Sequence, residues 1–253
     1  MSVPPRYCRV VLDLPPREAD RNLLQAAVEL ARLLDAELHA VFVQDPALAA
    51  LADFPFAREL RLPTHDWQPM TGARLADDWR AAIGKARRDL DSMRAARGVR
   101  GETEIQQGDP ASLIATICTA SDIVVVAAPA QAADRVTGVH TQRSLAAYHC
   151  MASVLMLPSA RMPEQGAIAV LAGDQGASRA VAAQIAARAG AKLVELLPTG
   201  RNGADILAAL RGVPARLLVV TRGAVLPDAD ATLQAIAEGG AVPVLVLEPV
   251  APG

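Results

Sequence analysis

Four consecutive apolar residues, Ile123 to Val126, follow the polar pair Ser121 and Asp122 and lead into a run of small residues from Ala127. A run of that length with no polar alternation suits a parallel strand covered on both faces, because a half-exposed strand would show a period of two. A parallel strand cannot be closed by a hairpin and needs helical crossovers around it. The flanking sequence supplies them. Gly108, Asp109 and Pro110 make a turn, with Pro110 suited to a first helical position, and a helix is expected from Ala111 to Ala120. After Ile123–Val126, the segment Ala127 to Ala133 forms a loop, a helix contains Leu145 and Tyr148, and Ser153 to Leu157 forms another strand. In open α/β sheets, ligands bind at the carboxyl ends of the strands, so the loop from Ala127 is the first place to look for function.

The preceding residues keep the same rhythm. Tyr7 to Leu14 reads as a strand. Asp20 can cap a helix whose Leu23, Ala27, Leu30 and Leu34 share one face. Asp35 and Ala36 stop this helix where glycine is more usual, and Glu37 to Val43 returns as a strand. A further helix from Asp77 to Arg97 places Trp79, Ile83, Leu90 and Met93 inward, and its interleaved charges, Lys85, Arg87 and Arg88 included, read as a solvated face. Gly98 ends it, and Gly101 to Gln107 is the next strand. The order to residue 157 is βαβαβαβαβ, an α/β unit with right-handed crossovers.

Residues 44–78 interrupt the pattern with several prolines and no sustained period. Phe54, Phe56 and Trp67 lie in this stretch and Trp79 just beyond it, four of the chain's seven aromatics. A connection this long is a covering flap whose aromatics close a local core, or a surface through which residues 53–79 dock a protein partner.

Composition narrows the classes. The 253 residues are 52% hydrophobic and 21% charged with a net charge of −2, which is a globular composition. No basic block marks a nucleic-acid surface, and no apolar run approaches the ~20 residues that cross a bilayer, so neither nucleic acid nor membrane is an expected partner. There is no basic-then-apolar leader. Cys8, Cys118 and Cys150, odd in number and far apart, are expected to be reduced core thiols of a cytoplasmic protein.

Taken together, Asp13 ending the first strand, the Gly108-Asp109-Pro110 turn and the closing strand Val154 to Leu157 resemble the universal stress protein family over residues 5–158, with the 44–78 insertion in the family's most variable region. The resemblance implies an open parallel sheet of the adenine nucleotide alpha hydrolase-like type, subunits that pair through the closing strand, and, in members that bind ATP, a glycine-rich loop after the fourth strand. Counting from Asp122 to Leu157 places Ala127, Ala130, His140 and Thr141 at that loop's positions. Three glycines are replaced there. Each added Cβ takes space near the backbone and makes left-handed conformations costly, so only the Thr141 hydroxyl is kept. ATP binding in the family manner is therefore not expected, and no cofactor is assigned.

From Gly166 the pattern restarts. Ala167–Leu171, Lys192–Leu197, Arg216–Val220 and Val242–Leu247 read as strands, and Ser178–Ala189 and Ala204–Leu210 as helices. Residues 158–166 read as a linker. The sequence predicts two tandem domains, 1–158 and a shortened, degenerate copy at 166–253, whose edge strands Val154–Leu157 and Val244–Leu247 pair antiparallel as an internal pseudodimer; a higher oligomer stays open. GDQGAS at 173–178 reads as a tight turn with Ser178 capping a helix, and Asp228 and Asp230 stand where phosphate-binding groups would be.

His39, His65, His140 and His149 lack metal-site spacing, and no nucleophile motif is present. Asp13 either contacts a ligand or holds the β-to-α turn. The expectation is a non-enzymatic stress-response protein acting through protein contacts, with an adenine-nucleotide sensor as the alternative.

Overall fold

The structure, a computed structural model, describes residues 7–14, 20–61, 65–127, 146–147, 150–158, 161–172, 177–200, 202–223 and 242–249. Its first strands are β1 (Arg9–Leu14), β2 (Glu37–Gln44), β5 (Gly101–Gln107), β6 (Asp122–Ala127) and β7 (Ser153–Leu157). The later strands are β8 (Ala167–Leu171), β9 (Leu193–Leu196), β10 (Ala215–Thr221) and β11 (Val244–Leu247). These nine make one sheet in the order β5-β2-β1-β6-β7-β11-β10-β8-β9. Every neighbouring pair is parallel except β7 with β11, which meet antiparallel with Leu155 opposite Leu245. The expected pairing of the two edges is thus the centre of the sheet. Val154, Leu155, Val244, Leu245 and Val246 are fully buried there, so the two most apolar strand edges cover each other instead of facing water.

Around that seam the order reads alike in both directions, with β7-β6-β1-β2 on one side answered by β11-β10-β8-β9 on the other. Among the described residues, β8, β9, β10 and β11 are joined by no counterpart of β5.

Helices α1 (Arg21–Leu34), α3 (Gly72–Arg97) and α5 (Ala177–Ala189) cover one face, packing on Val10, Leu12, Leu38, Phe42, Ile123, Val125, Leu155, Ile168, Leu217 and Leu245. On the other face, α4 (Pro110–Ile117) lies against Val11, Val41 and Val43, with Ile114 on Val124 and Val154, while α6 (Gly203–Leu210) covers Ala169, Leu218, Val244 and Val246. Burial on both faces explains the unbroken apolar strands. Local caps agree with the sequence. Asp20 accepts from Asn22 N, Asp109 accepts from Ser112 N behind Pro110, and Gly98 ends α3 in the left-handed region at φ 66°. Asp35 takes the same conformation at φ 61° with no glycine, a position where aspartate is tolerated through local hydrogen bonding. Helix α3 begins at Gly72, five residues before the expected Asp77, because Thr71 accepts from Arg74 N and caps it earlier. At Gly166, φ is 124° and a Cβ would lie 2.6 Å from the Pro214 carbonyl oxygen, so the start of β8 admits only glycine beside β10.

The insertion is ordered into a short helix, α2 (Pro46–Ala52), capped by Asp45, and an antiparallel hairpin of β3 (Arg58–Arg61) with β4 (Asp66–Pro69). Its aromatics correct one expectation. Phe54 is 50% exposed, Phe56 77% and Trp67 60%, so they do not close a local core as a covering flap would. Only Trp79, carried by α3, is buried. A second correction concerns the thiols: Cys8 is exposed, Cys118 half-buried and Cys150 buried, so one of the three expected core cysteines faces solvent.

Candidate functional site

Strand β1 is flanked by β2 on one side and β6 on the other, and the chain leaves β1 through α1 on one face while it reaches β6 from α4 on the opposite face. The crevice opened by such a reversal lies at the carboxyl ends of β1 and β6. Asp13, the penultimate residue of β1, is buried there beside Val41 of β2. Ala127 ends β6 next to Leu157. The two are the expected site residues that the structure brings to one sheet edge. Ala130, His140 and Thr141 lie outside the described residues. The turn before α4 also reaches this edge, since Gly108 N donates to Gln44 O at the end of β2. Asp109 is occupied as a helix cap. Its carboxylate accepts from Ser112 N and Ser112 Oγ, and these bonds hold it below the usual carboxylate range.

The matching edge of the second half is used differently. Arg222, just past β10, turns to the seam. There Nη1 donates to Cys150 O at 2.9 Å, Nη2 donates to Ala152 O at 2.8 Å, and Nη1 stands 2.8 Å from Glu248 Oε2. Glu248 N in turn donates to Ser153 Oγ. These bonds staple β10 and β11 to the start of β7. Residues 173–176, Asp228 and Asp230 lie outside the described residues.

Other charged clusters are placed away from the crevice. Asp122, fully buried at the amino end of β6, accepts from Arg9 Nε and Nη2 and from Thr119 N and Oγ1. Burial pushes its pKa up, but those four donors outweigh burial and hold it below the ordinary value. His39 on β2 sits between two carboxylates of β5, 2.7 Å from Glu102 Oε1 and 3.3 Å from Glu104 Oε2. No group of three His, Cys, Asp or Glu among the described residues is arranged to hold a metal ion. Sequence reasoning missed a further cluster on α1, where Glu29 accepts from Arg32, Arg97 and Arg216. Glu29 and Arg216 are 187 positions apart, and each alone looks like a surface charge.

The exposed face of the insertion is the other unusual surface. Leu51, Phe54, Phe56, Leu60 and Trp67 are all exposed, and the two phenylalanine rings stack at 5.6 Å. Their exposure concentrates on one short segment what a folded chain normally scatters.

Comparison with solved structures decides the architecture. A universal stress protein from Archaeoglobus fulgidus DSM 4304 is similar over 96% of this chain and 97% of its own, with a TM-score of 0.62 and 12% identity. The fold is that of the universal stress proteins. A functionally unknown protein from Pseudomonas aeruginosa PAO1 matches over 96% of this chain and 93% of its own at a TM-score of 0.55 and 15% identity. No family model matches the sequence, and no curated protein does. The similarity in this universal stress protein fold extends over 96% of the chain.

Proposed function

We propose that this chain is a non-enzymatic, cytoplasmic universal stress protein-like protein, built from a first domain at 1–158 and a degenerate copy at 166–253, that acts in stress response by binding a protein partner. The observation that carries this reading is the set of exposed apolar side chains on the insertion, with Phe54, Phe56 and Trp67 at its centre. Aromatic anchors that a partner desolvates supply most of the affinity of a protein interface, at roughly 25 cal/mol per Å² of apolar area covered. The test is affinity capture with the full chain and with a Phe54→Ser/Phe56→Ser variant. A partner that binds the parent protein and equally well the folded variant would rule the surface out.

The second reading is an adenine-nucleotide sensor, favoured by the position of Asp13 at the switch point of the sheet. Replacement of glycine by Ala127, Ala130 and His140 weighs against it, because the phosphates would lose the close backbone approach they need. Calorimetry with ATP and AMP is expected to give no saturable heat. Saturable binding that Asp13→Asn removes would install this reading in place of the first.

A further inference from the structure

Between the two halves, on the face that carries α1, α3 and α5, lies a cavity of about 270 Å³. Its walls come from α1, the end of α3, residues 161–164 and the start of β10. Four arginines line it, Arg32, Arg97, Arg161 and Arg216, against two carboxylates, Glu29 and Glu164. Four positive charges against two negative leave a surplus of two.

The hydrogen bonds show where that surplus stands. Glu29 Oε1 accepts from Arg32 Nη2 and Arg216 Nη2, while Oε2 accepts from Arg32 Nε and Arg97 Nη1. A carboxylate offers about four acceptor positions, so Glu29 is saturated. Burial raises its pKa, but the hydrogen bonds from Arg32 and Arg216 prevail and keep it below the usual range, hence ionised at neutral pH. Arg216, whose side chain is 7% exposed, pairs with Glu29, and among the described residues its Nε–H has no hydrogen-bond partner. Arg161, exposed at the mouth, forms no ion pair among the described residues. A guanidinium presents donors in a fixed fork that matches carboxylate and phosphate oxygens, and leaving such donors unpaired away from bulk water is costly. Asn22 and Gln25 add uncharged polar groups to the wall, suited to hydroxyl or carbonyl oxygens.

We infer that this seam cavity is a binding site for a small organic oxoanion, a phosphate ester or a polycarboxylate, which pairs with Arg97, Arg161 and Arg216 and bridges the two halves. The cavity is at the small end of ligand sites, which excludes larger cofactors and fits a metabolite of a few carbons. Because the ligand touches both halves of the folded chain and has no counterpart site in the unfolded one, binding raises thermal stability by mass action.

The experiment is calorimetry and thermal unfolding of the full chain with three probes, inorganic phosphate, glycerol 3-phosphate and malonate, repeated on Arg161→Gln, Arg97→Gln and Asp13→Asn. The two arginine variants are chosen because Arg97 and Arg161 are solvent-facing, so folding is retained where replacing buried Arg216 would endanger it. Saturable binding of at least one probe, weakened about tenfold by either arginine variant and unchanged in Asp13→Asn, is the expected result. Preference between glycerol 3-phosphate and malonate then identifies the class. Saturable binding that survives both arginine variants places the anion elsewhere and overturns the site, as does the absence of saturable binding by all three probes. Neither outcome bears on the exposed aromatics of the insertion, which are tested separately.

Discussion

Leu155 of β7 and Leu245 of β11 face each other in register across the one antiparallel pair of the nine-stranded sheet, both fully buried. Two parallel sheets end at this line, and the side chains at the join belong to the same hydrophobic core as α1 and α5. A charge placed at Leu155 would have to be buried without a partner or split the seam. Leu155→Lys is expected to destabilise the protein by about 4 kcal/mol or more, a loss of roughly 10 °C in melting temperature, and to lower solubility. Ala81→Lys on the exposed side of α3 is the control, with a change of no more than about 0.5 kcal/mol. Equal stability and solubility of the two variants would show that these strands do not hold the halves together.

The exposed aromatics make the opposite prediction. Phe54 and Phe56 stack on each other and are at least half exposed, so Phe54→Ser/Phe56→Ser removes one ring pair worth about 1 kcal/mol and little buried area. Differential scanning calorimetry is expected to show a fall of no more than about 3 °C. Two core phenylalanines would cost about 3–5 kcal/mol each and lower the midpoint far more.

Much of this architecture was legible in the chain because burial on both faces leaves a continuous apolar run, and because caps such as Asp20, Asp109 and Gly98 mark helix ends chemically. The seam followed from the same logic, two apolar edges that each needed a partner. The insertion was not legible. RELR and DWQP in β3 and β4 carry no apolar alternation, since the hairpin is not buried on either side, and the physics that patterns a core strand never acts on it. The aromatics there suggested a local core only because large rings are usually buried. The Glu29 cluster was hidden for a different reason: three arginines from α1, α3 and β10 converge only after the sheet has formed.

The three thiols are expected to separate by reactivity. Burial pushes Cys118 up to about 12, so its thiolate fraction near pH 8 is on the order of one in ten thousand, and the thiolate is the nucleophile. Burial also raises Cys150, whose Sγ–H donates to Ala147 O at 2.9 Å. Cys8 is exposed. A native-state titration with a disulfide reagent should give one fast equivalent per chain, abolished by Cys8→Ser, and three after denaturation. Two or three fast equivalents without denaturant would contradict the burial of Cys118 and Cys150.

Acid sensitivity follows from two buried carboxylates that arginines hold ionised. Asp122 and Glu29 both have folded-state pKa values held below their ordinary ones by arginine donors that outweigh burial. In the unfolded chain they return to about 3.9 and 4.3. Between the folded and unfolded values the unfolded state binds more protons, so stability falls as pH drops through that window and is fully present above it. The melting temperature should therefore be nearly flat from pH 7 to about pH 5 as far as these two groups are concerned, then decline steeply below about pH 4. Asp122→Asn isolates one contribution. The amide cannot accept both Arg9 bonds as a carboxylate does. Since Arg9 is one-third exposed and partly hydrated, the loss at neutral pH should be about 2–3 kcal/mol, less than for a fully buried pair. The difference between parent and variant should then shrink as pH falls toward 3, because the parent loses the same interaction by protonation. A difference that stays constant from pH 7 to about pH 3 would mean that the ionised form of Asp122 contributes nothing to stability in this range.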